Sequence, residues 1–191
     1  NTFVGDSSGV NNTTANNNTA VGQSALYANT TGTQNTALGS LTLDAHTTGN
    51  NNTGLGYGAL SANTTATGNT AVGATALVSN TTGVNNVAVG VGAGDALTTG
   101  GYNVAIGNNA LGTATTTTAN VAVGERALED STGEHNTALG AHTLRDNTTA
   151  SNNTAVGYFA LGTNTTGTEN TALGAYALDA GSAGACTAVG I

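Results

Sequence analysis

The amino-acid sequence repeats itself on a fixed period. A pentad of the form Asn-Thr/Val-Ala-aliphatic-Gly starts at residues 1, 18, 35, 52, 69, 86, 103, 120, 136, 153, 170 and 186, with departures only at Phe3, Gly54 and Cys186. The spacing is 17 nine times and 16 twice. A full unit reads N-T-A-[VLI]-G-x-x-A-L-x-x-N-T-T-G-x-x, as in Asn153 to Glu169. Position 4 is Val, Leu or Ile and position 5 is Gly in all twelve units; position 9 is Leu in nine of the eleven units that reach it, Gly9 and Gly94 being the exceptions. Such a chain folds as stacked copies of one small unit, each burying its apolar face on the next.

Seventeen residues are too few for a helix-turn-helix repeat, and Thr, Val, Asn and Gly are poor in helix interiors. Aliphatic and Ala residues around positions 2–4, as in Val87-Ala88-Val89 and Val104-Ala105-Ile106, give short strands. Gly at positions 5 and 15 and Asn at position 12 tolerate φ > 0 and are expected at corners. The expected fold is all-β: a parallel β-solenoid (β-roll) of about 11 coils with 17 residues per coil, one continuous array over residues 1–191. Coils ~4.8 Å apart make a rod about 50 Å long. Strands are expected near positions 2–4 and 7–9 of each unit, with columns 4 and 9 forming the core.

Equivalent positions then stack into columns. Column 1 is Asn in eleven of twelve units and is expected to form a hydrogen-bonded ladder. Columns 12 to 14 (Asn-Thr-Thr) read as a further corner with hydroxyl ladders. Units six to eight drift: Val stands at position 2 (Val87, Val104, Val121) and Asn is lost from position 12 (Leu97, Ala114, Ser131). The 16-residue unit at Asn120 is expected to be the least regular coil.

Ala, Thr, Asn and Gly supply 126 of the 191 residues, and only 6% are charged. Too few large side chains remain to fill a core of ordinary thickness. Two arginines and no lysine cannot neutralise a nucleic-acid backbone. No apolar run is long enough to span a membrane as a helix, and no basic amphipathic face exists to lie on one. Single Cys186 excludes a disulfide framework. His46, His135 and His142 have no metal-ligand spacing with it and read as surface imidazoles, His46 replacing Asn at a corner. Without lysine the glycines make no phosphate loop, and Ser and Thr lack a paired His and acid. No enzyme and no cofactor is expected. Asn-x-Thr triplets such as Asn29-Thr30-Thr31 follow from the repeat itself. The chain begins and stops within the repeat, so the polypeptide is expected to continue beyond both ends or to stack end to end.

The stretch NTAVGYFALGTNTTGTENTALGAYAL (Asn153 to Leu178) resembles the repeats of phage and bacterial tail-fibre-domain proteins, where such arrays commonly precede an intramolecular chaperone domain of the endosialidase type. V-A-I-G and V-A-V-G (Val104 to Gly107, Val121 to Gly124) are similar to the head repeats of trimeric autotransporter adhesins, whose repeat is shorter than 17. The resemblance implies a left-handed β-roll in a homotrimeric fibre or adhesin shaft. The location it implies is extracellular, on a virion tail fibre or the bacterial cell surface.

Charge gathers between Glu125 and Asp146. Glu129 and Arg145 share position 10 of adjacent coils and are expected within salt-bridge reach. Asp130 and Asp146 share position 11, where like charges repel unless screened or bridged by a cation; as metal ligands they are weak candidates. Position 7 of four successive units holds Arg126, His142, Phe159 and Tyr176, with Tyr158 beside them at position 6. These five are expected to form an aromatic ladder with a cation at one end, serving stability, a partner contact, or a carbohydrate such as a cell-surface glycan.

Three functions compete. A structural shaft projecting a receptor-binding tip leads, as a homotrimer whose association adds to a thin core. A self-assembling filament subunit is the second. The third is an ice- or surface-binding Thr face, against which the adjacent Thr13-Thr14 pairs count, since neighbouring side chains on a strand point to opposite sides.

Overall fold

The computed structural model describes residues 1–180 and 184–190. It contains twelve three-residue strands: β1 (Thr2–Val4), β2 (Thr19–Val21), β3 (Thr36–Leu38), β4 (Thr53–Leu55), β5 (Thr70–Val72), β6 (Val87–Val89), β7 (Val104–Ile106), β8 (Val121–Val123), β9 (Thr137–Leu139), β10 (Thr154–Val156), β11 (Thr171–Leu173) and β12 (Thr187–Val189). They form one parallel sheet in chain order. Position 2 lies opposite position 2, 3 opposite 3 and 4 opposite 4, as in Thr19↔Thr36, Ala20↔Ala37 and Val21↔Leu38. The fold is a β-solenoid of about 11 turns with roughly 17 residues per turn, and the described residues include no helix.

Each coil has one strand, not two. Positions 5 to 12 run instead through three consecutive i→i+3 turns: in the second coil Ala25 donates to Gly22, Tyr27 to Ser24 and Asn29 to Leu26 (3.3, 3.2 and 3.3 Å). Positions 7 and 9 occupy the i+2 place of the first two turns and lie in the left-handed region, Ser24 at φ 55° and Leu26 at φ 52°. Position 17 does the same, for instance Gln34 at φ 60°. Pairing between coils nevertheless continues through the turns: Ser24 N–H bonds the Asp6 carbonyl, Leu26 that of Thr42 and Ala28 that of Asp44 (2.9, 3.0 and 2.9 Å). A left-handed non-glycine residue costs about 1–2 kcal/mol. At position 9 the burial of Leu offsets this, worth about 1.5–3 kcal/mol.

The glycine of position 5 forms a corner, as its place in the repeat predicts, at φ 126–140° through the array. A Cβ there would also strike the next coil, 2.5 Å from the Gly56 carbonyl oxygen in the case of Gly39. The Asn of position 12 and the Gly of position 15 do not take the expected φ > 0. At position 15 the next coil's carbonyl passes close to Gly32, where a Cβ would collide with the oxygen of Gly49; Ala15, Ala66, Thr117 and Ala150 stand at the same position in other coils, so the column accepts a Cβ where the backbone shifts.

The core reverses half of the sequence expectation. Column 9 is inside, with Leu26, Leu43, Leu60, Leu77, Leu111 and Leu128 wholly buried. Column 4 is not: Val4, Leu38, Leu55, Leu139 and Leu173 are 40–55% exposed. Strand alternation explains the change. With three residues per strand, either the central position 3 or its two flanks face inward, and here the central Ala does. The interior therefore consists of Ala at positions 3 and 8 and Leu at position 9, closed by buried Asn at positions 1 and 12.

The Asn of position 1 fixes that phase. Its Oδ1 accepts the backbone N–H of the position-1 residue one coil on, and in the first nine coils its Nδ2 donates to the carbonyl at the position-15 corner of its own coil. Asn35 N–H to Asn18 Oδ1 is 2.8 Å, and Asn18 Nδ2 to the Gly32 carbonyl is 2.7 Å. The ladder starts at Asn1 and reaches the Cys186 N–H, which Asn170 Oδ1 accepts at 3.0 Å. A thin rod thus satisfies its interior backbone with side-chain amides. The hydroxyl ladder is present at position 13, where Thr30, Thr47, Thr64 and Thr81 each donate to the carbonyl of the Thr one coil on, at 2.9–3.2 Å.

Irregular units are compensated in volume. Gly9 replaces Leu where Phe3 replaces Ala, and a Cβ on Gly9 would lie 2.7 Å from the Phe3 ring. Gly94 replaces Leu where Leu97 replaces the Asn of position 12; Leu97 is fully buried and fills the space, its Cδ1 3.1 Å from a Cβ on Gly94. The 16-residue unit at Asn120 drops its residue in the bend at 131–133, yet β8 and β9 pair in register and Asn136 N–H still bonds Asn120 Oδ1 at 2.9 Å. The corner of the eleventh unit, at 181–183, and the terminal Ile191 lie outside the described residues.

Candidate functional site

Coils nine to eleven carry the one aromatic patch that the sequence singled out. His142, Phe159 and Tyr176 at position 7 stack coil on coil, with Tyr158 at position 6 between them. Ring centroids are 6.1 Å apart for His142–Phe159, 5.9 Å for Phe159–Tyr176, 6.0 Å for His142–Tyr158 and 5.4 Å for Tyr158–Tyr176. The Tyr158–Tyr176 pair stands near a right angle (79°) and the Phe159–Tyr176 pair is tilted by 35°. Edge-to-face and offset pairs of this kind contribute about 0.5–1.5 kcal/mol each beyond area. Desolvation by the neighbouring rings, and then Tyr158 and Asp179, push the Tyr176 phenol up.

The cation is not where the column predicts. Arg126 ends no ladder; it lies 3.6 Å from Glu129 within its own coil. Arg145 takes the place over Phe159, its guanidinium carbon 4.9 Å from the ring centroid. Spacing carried a usable signal for this, since Arg145 at position 10 follows His142 by one tight turn and faces the coil that carries Phe159. The expected Glu129–Arg145 bridge does not form either. Arg145 donates from Nε and Nη2 to both carboxylate oxygens of Asp146 at 2.6 and 2.8 Å. That contact holds the Asp146 carboxyl below the usual range and raises Arg145, with Glu129 and Asp130 adding to the field.

Asp146 is thereby committed to a neighbour, while Asp130 is exposed. Among the described residues no group of three His, Cys, Asp or Glu side chains converges as a metal site. No helix of the described residues is long and apolar enough to cross a membrane.

The histidines separate into three environments. His135 is exposed and His142 is half-buried in the patch. His46, expected at the surface, is wholly buried, because position 12 is an inner column. Its Nε2 meets the Gly49 carbonyl at 2.8 Å and its Nδ1 lies 3.1 Å from the Asn63 side chain one coil on. Burial lowers its pKa, and the hydrogen bonds to Gly49 and Asn63 oppose that shift.

A second surface feature runs against the expected core and follows only from the phase of the strands. Positions 2 and 4 flank the inward Ala on the outer face of the sheet, so a Thr/Val column and a Val/Leu/Ile column run side by side along the rod. On β6 to β8 both columns are aliphatic: Val87, Val104 and Val121 beside Val89, Ile106 and Val123. No family model, curated protein or solved structure matches the chain.

Proposed function

We propose that this chain is a structural rod: the shaft of a homo-oligomeric fibre, on a phage tail or a bacterial surface, that holds a receptor-binding part away from its base. The observation that carries the reading is the outward aliphatic column 4, which runs over twelve stacked strands and is half-buried to exposed among the described residues. An apolar stripe of that length on a weakly charged rod is suited to lie against the same stripe of parallel copies. Three copies around one axis give each stripe a partner and add the apolar burial that a core of Ala and Leu lacks. The repeat's resemblance to tail-fibre and adhesin-head arrays supports the same arrangement and an extracellular location.

Sedimentation equilibrium tests it. The expected species is three chains of 18.3 kDa at micromolar concentration. Leu55→Lys and Leu139→Lys are expected to release folded single chains, since both side chains are already 40% and 47% exposed. A wild-type chain that stays folded and single overturns the reading. Thr at position 2 alternating with an aliphatic at position 4 on one outward face supports a second reading, ordered-water or ice binding. That reading predicts freezing hysteresis from single chains.

A further inference from the structure

Position 7 is held in the left-handed region in coil after coil. In the earlier coils it carries Ser7, Ser24, Gly58, Gly92 and Asn109, and also Leu41, Thr75 and Arg126 (φ 52–64°). Gly and Asn adopt that conformation at little cost, whereas a bulky residue such as Leu41, Phe159 or Tyr176 pays for it. His142, Phe159 and Tyr176 nevertheless occupy it in three successive coils, at φ 55–58°. The core beneath them needs no rings, since Leu144, Ala160, Leu161 and Ala177 fill it as their equivalents do elsewhere. Tyr158 and Tyr176 remain 47% and 53% exposed. The aromatic area is therefore an outward addition, held at a conformational cost.

Its surroundings narrow the occupant. Arg145 is fixed over Phe159 by Asp146, so a charged donor and a charged acceptor stand rigidly at the edge of the rings. Both charges are already paired, and the chain as a whole is at −8. An anionic ligand is repelled by that field, and a flat apolar one has no use for the polar pair. A neutral sugar suits both parts: its C–H face packs on aromatic rings while its hydroxyls exchange hydrogen bonds with Arg145, Asp146 and the tyrosine phenols.

We propose that Tyr158, Phe159 and Tyr176, with His142 below and the Arg145–Asp146 pair at the side, form a shallow platform for a neutral oligosaccharide. The platform lies in the turns of positions 6 to 11, off the strands, and does not rest on self-association.

The full chain is titrated with maltohexaose, N-acetylchitohexaose and mannohexaose, and with hexagalacturonate as the acidic counterpart. Saturation-transfer NMR and tyrosine fluorescence are followed. At least one neutral hexasaccharide is expected to bind with a Kd of about 0.1–10 mM, a range suited to a shallow open site. Tyr158→Ser and Tyr176→Ser are each expected to weaken it by about tenfold or more. Both substitutions install residues the rod already uses at these positions, Ser40 at position 6 and Ser24 at position 7, so the coil is kept. Tyr57→Ser, at position 6 far along the rod, is expected to leave binding unchanged. The proposal is overturned if no neutral sugar binds, if binding survives both patch substitutions, or if hexagalacturonate binds as well as the neutral sugars. It is equally overturned if the patch substitutions change the sedimenting mass instead, which would make the rings a contact between copies. Loss of the oligomer in the sheet-face variants with sugar binding retained would bear on the shaft alone.

Discussion

One column of amides lies inside this rod while a column of aliphatics in the same strand segments lies outside, against the usual ordering of side chains. Asn35, Asn52, Asn69 and Asn86 are at most 1% exposed, while Leu38 and Leu55 on the strands between them are 46% and 40% exposed. The two columns sit only three residues apart in sequence. The difference lies in what each partner column offers. An inward Asn meets two backbone groups, a neighbouring coil's N–H and its own coil's position-15 carbonyl. An outward Leu meets only its equivalents in the coils above and below and stays about half exposed. In a cross-section this thin, hydrogen-bond satisfaction of the backbone outranks hydropathy in deciding who is inside.

Exchanging the two residue types is the severest test of that contrast. Asn86→Leu orphans the Asn103 N–H and the Gly100 carbonyl. It is therefore expected to cost about 2–6 kcal/mol despite raising the apolar content of the core. Urea denaturation reads this directly; an unchanged or stabilised rod would mean that hydropathy rules after all.

The inner column can also be probed where it carries a titratable group. Burial lowers the folded pKa of His46 below the unfolded value of 6.5. Between those two values the unfolded chain holds more protons, so stability is complete above pH 6.5 and falls as the pH falls toward the folded pKa. His46→Asn, the repeat's own residue at position 12, is expected to remove this component. The denaturation midpoint of the variant should then gain on that of the wild type on going from pH 7.5 to pH 5. A constant difference would argue against a buried neutral imidazole.

Smaller effects come from the turn side. Gln34→Gly at φ 60° relieves a left-handed residue and adds flexibility to the unfolded chain, a balance worth about 0.5–1 kcal/mol of gain. Gly68 already occupies the equivalent place at φ 74°. Melting temperature measures it, and a loss would place the strain elsewhere. Smallest of all is Leu55→Asn on the outer face, expected within about 0.5 kcal/mol when read on single chains.

The sequence held more of this than its hydropathy pattern suggests. Position 4 varies freely among Val, Leu and Ile from coil to coil, whereas position 3 is Ala except at Phe3 and Gly54. A column stacked at close spacing inside a core cannot change volume so freely, and the exceptions at position 3 are met by changes at Gly9 and Thr42. The same volume argument was available for Leu97 and Gly94. The left-handed Leu at position 9 was beyond reach, because nothing in a Leu codes for φ > 0. The aromatic patch was legible as a column, but Arg145, which completes it, sits on another position and joins only through the stacking of coils.

Period and composition by themselves determined the solenoid, its coil length, the glycine corner at position 5 and the asparagine ladder, because a seventeen-residue repeat of small residues has no other way to pair its backbone. The tertiary structure alone decided the phase of the strand. A three-residue strand can turn either its centre or its flanks inward, and a shift of one residue exchanges every face. That choice is made by whether the Asn of position 1 reaches the neighbouring coil's N–H, which is a distance across the stack and not a property of any one repeat.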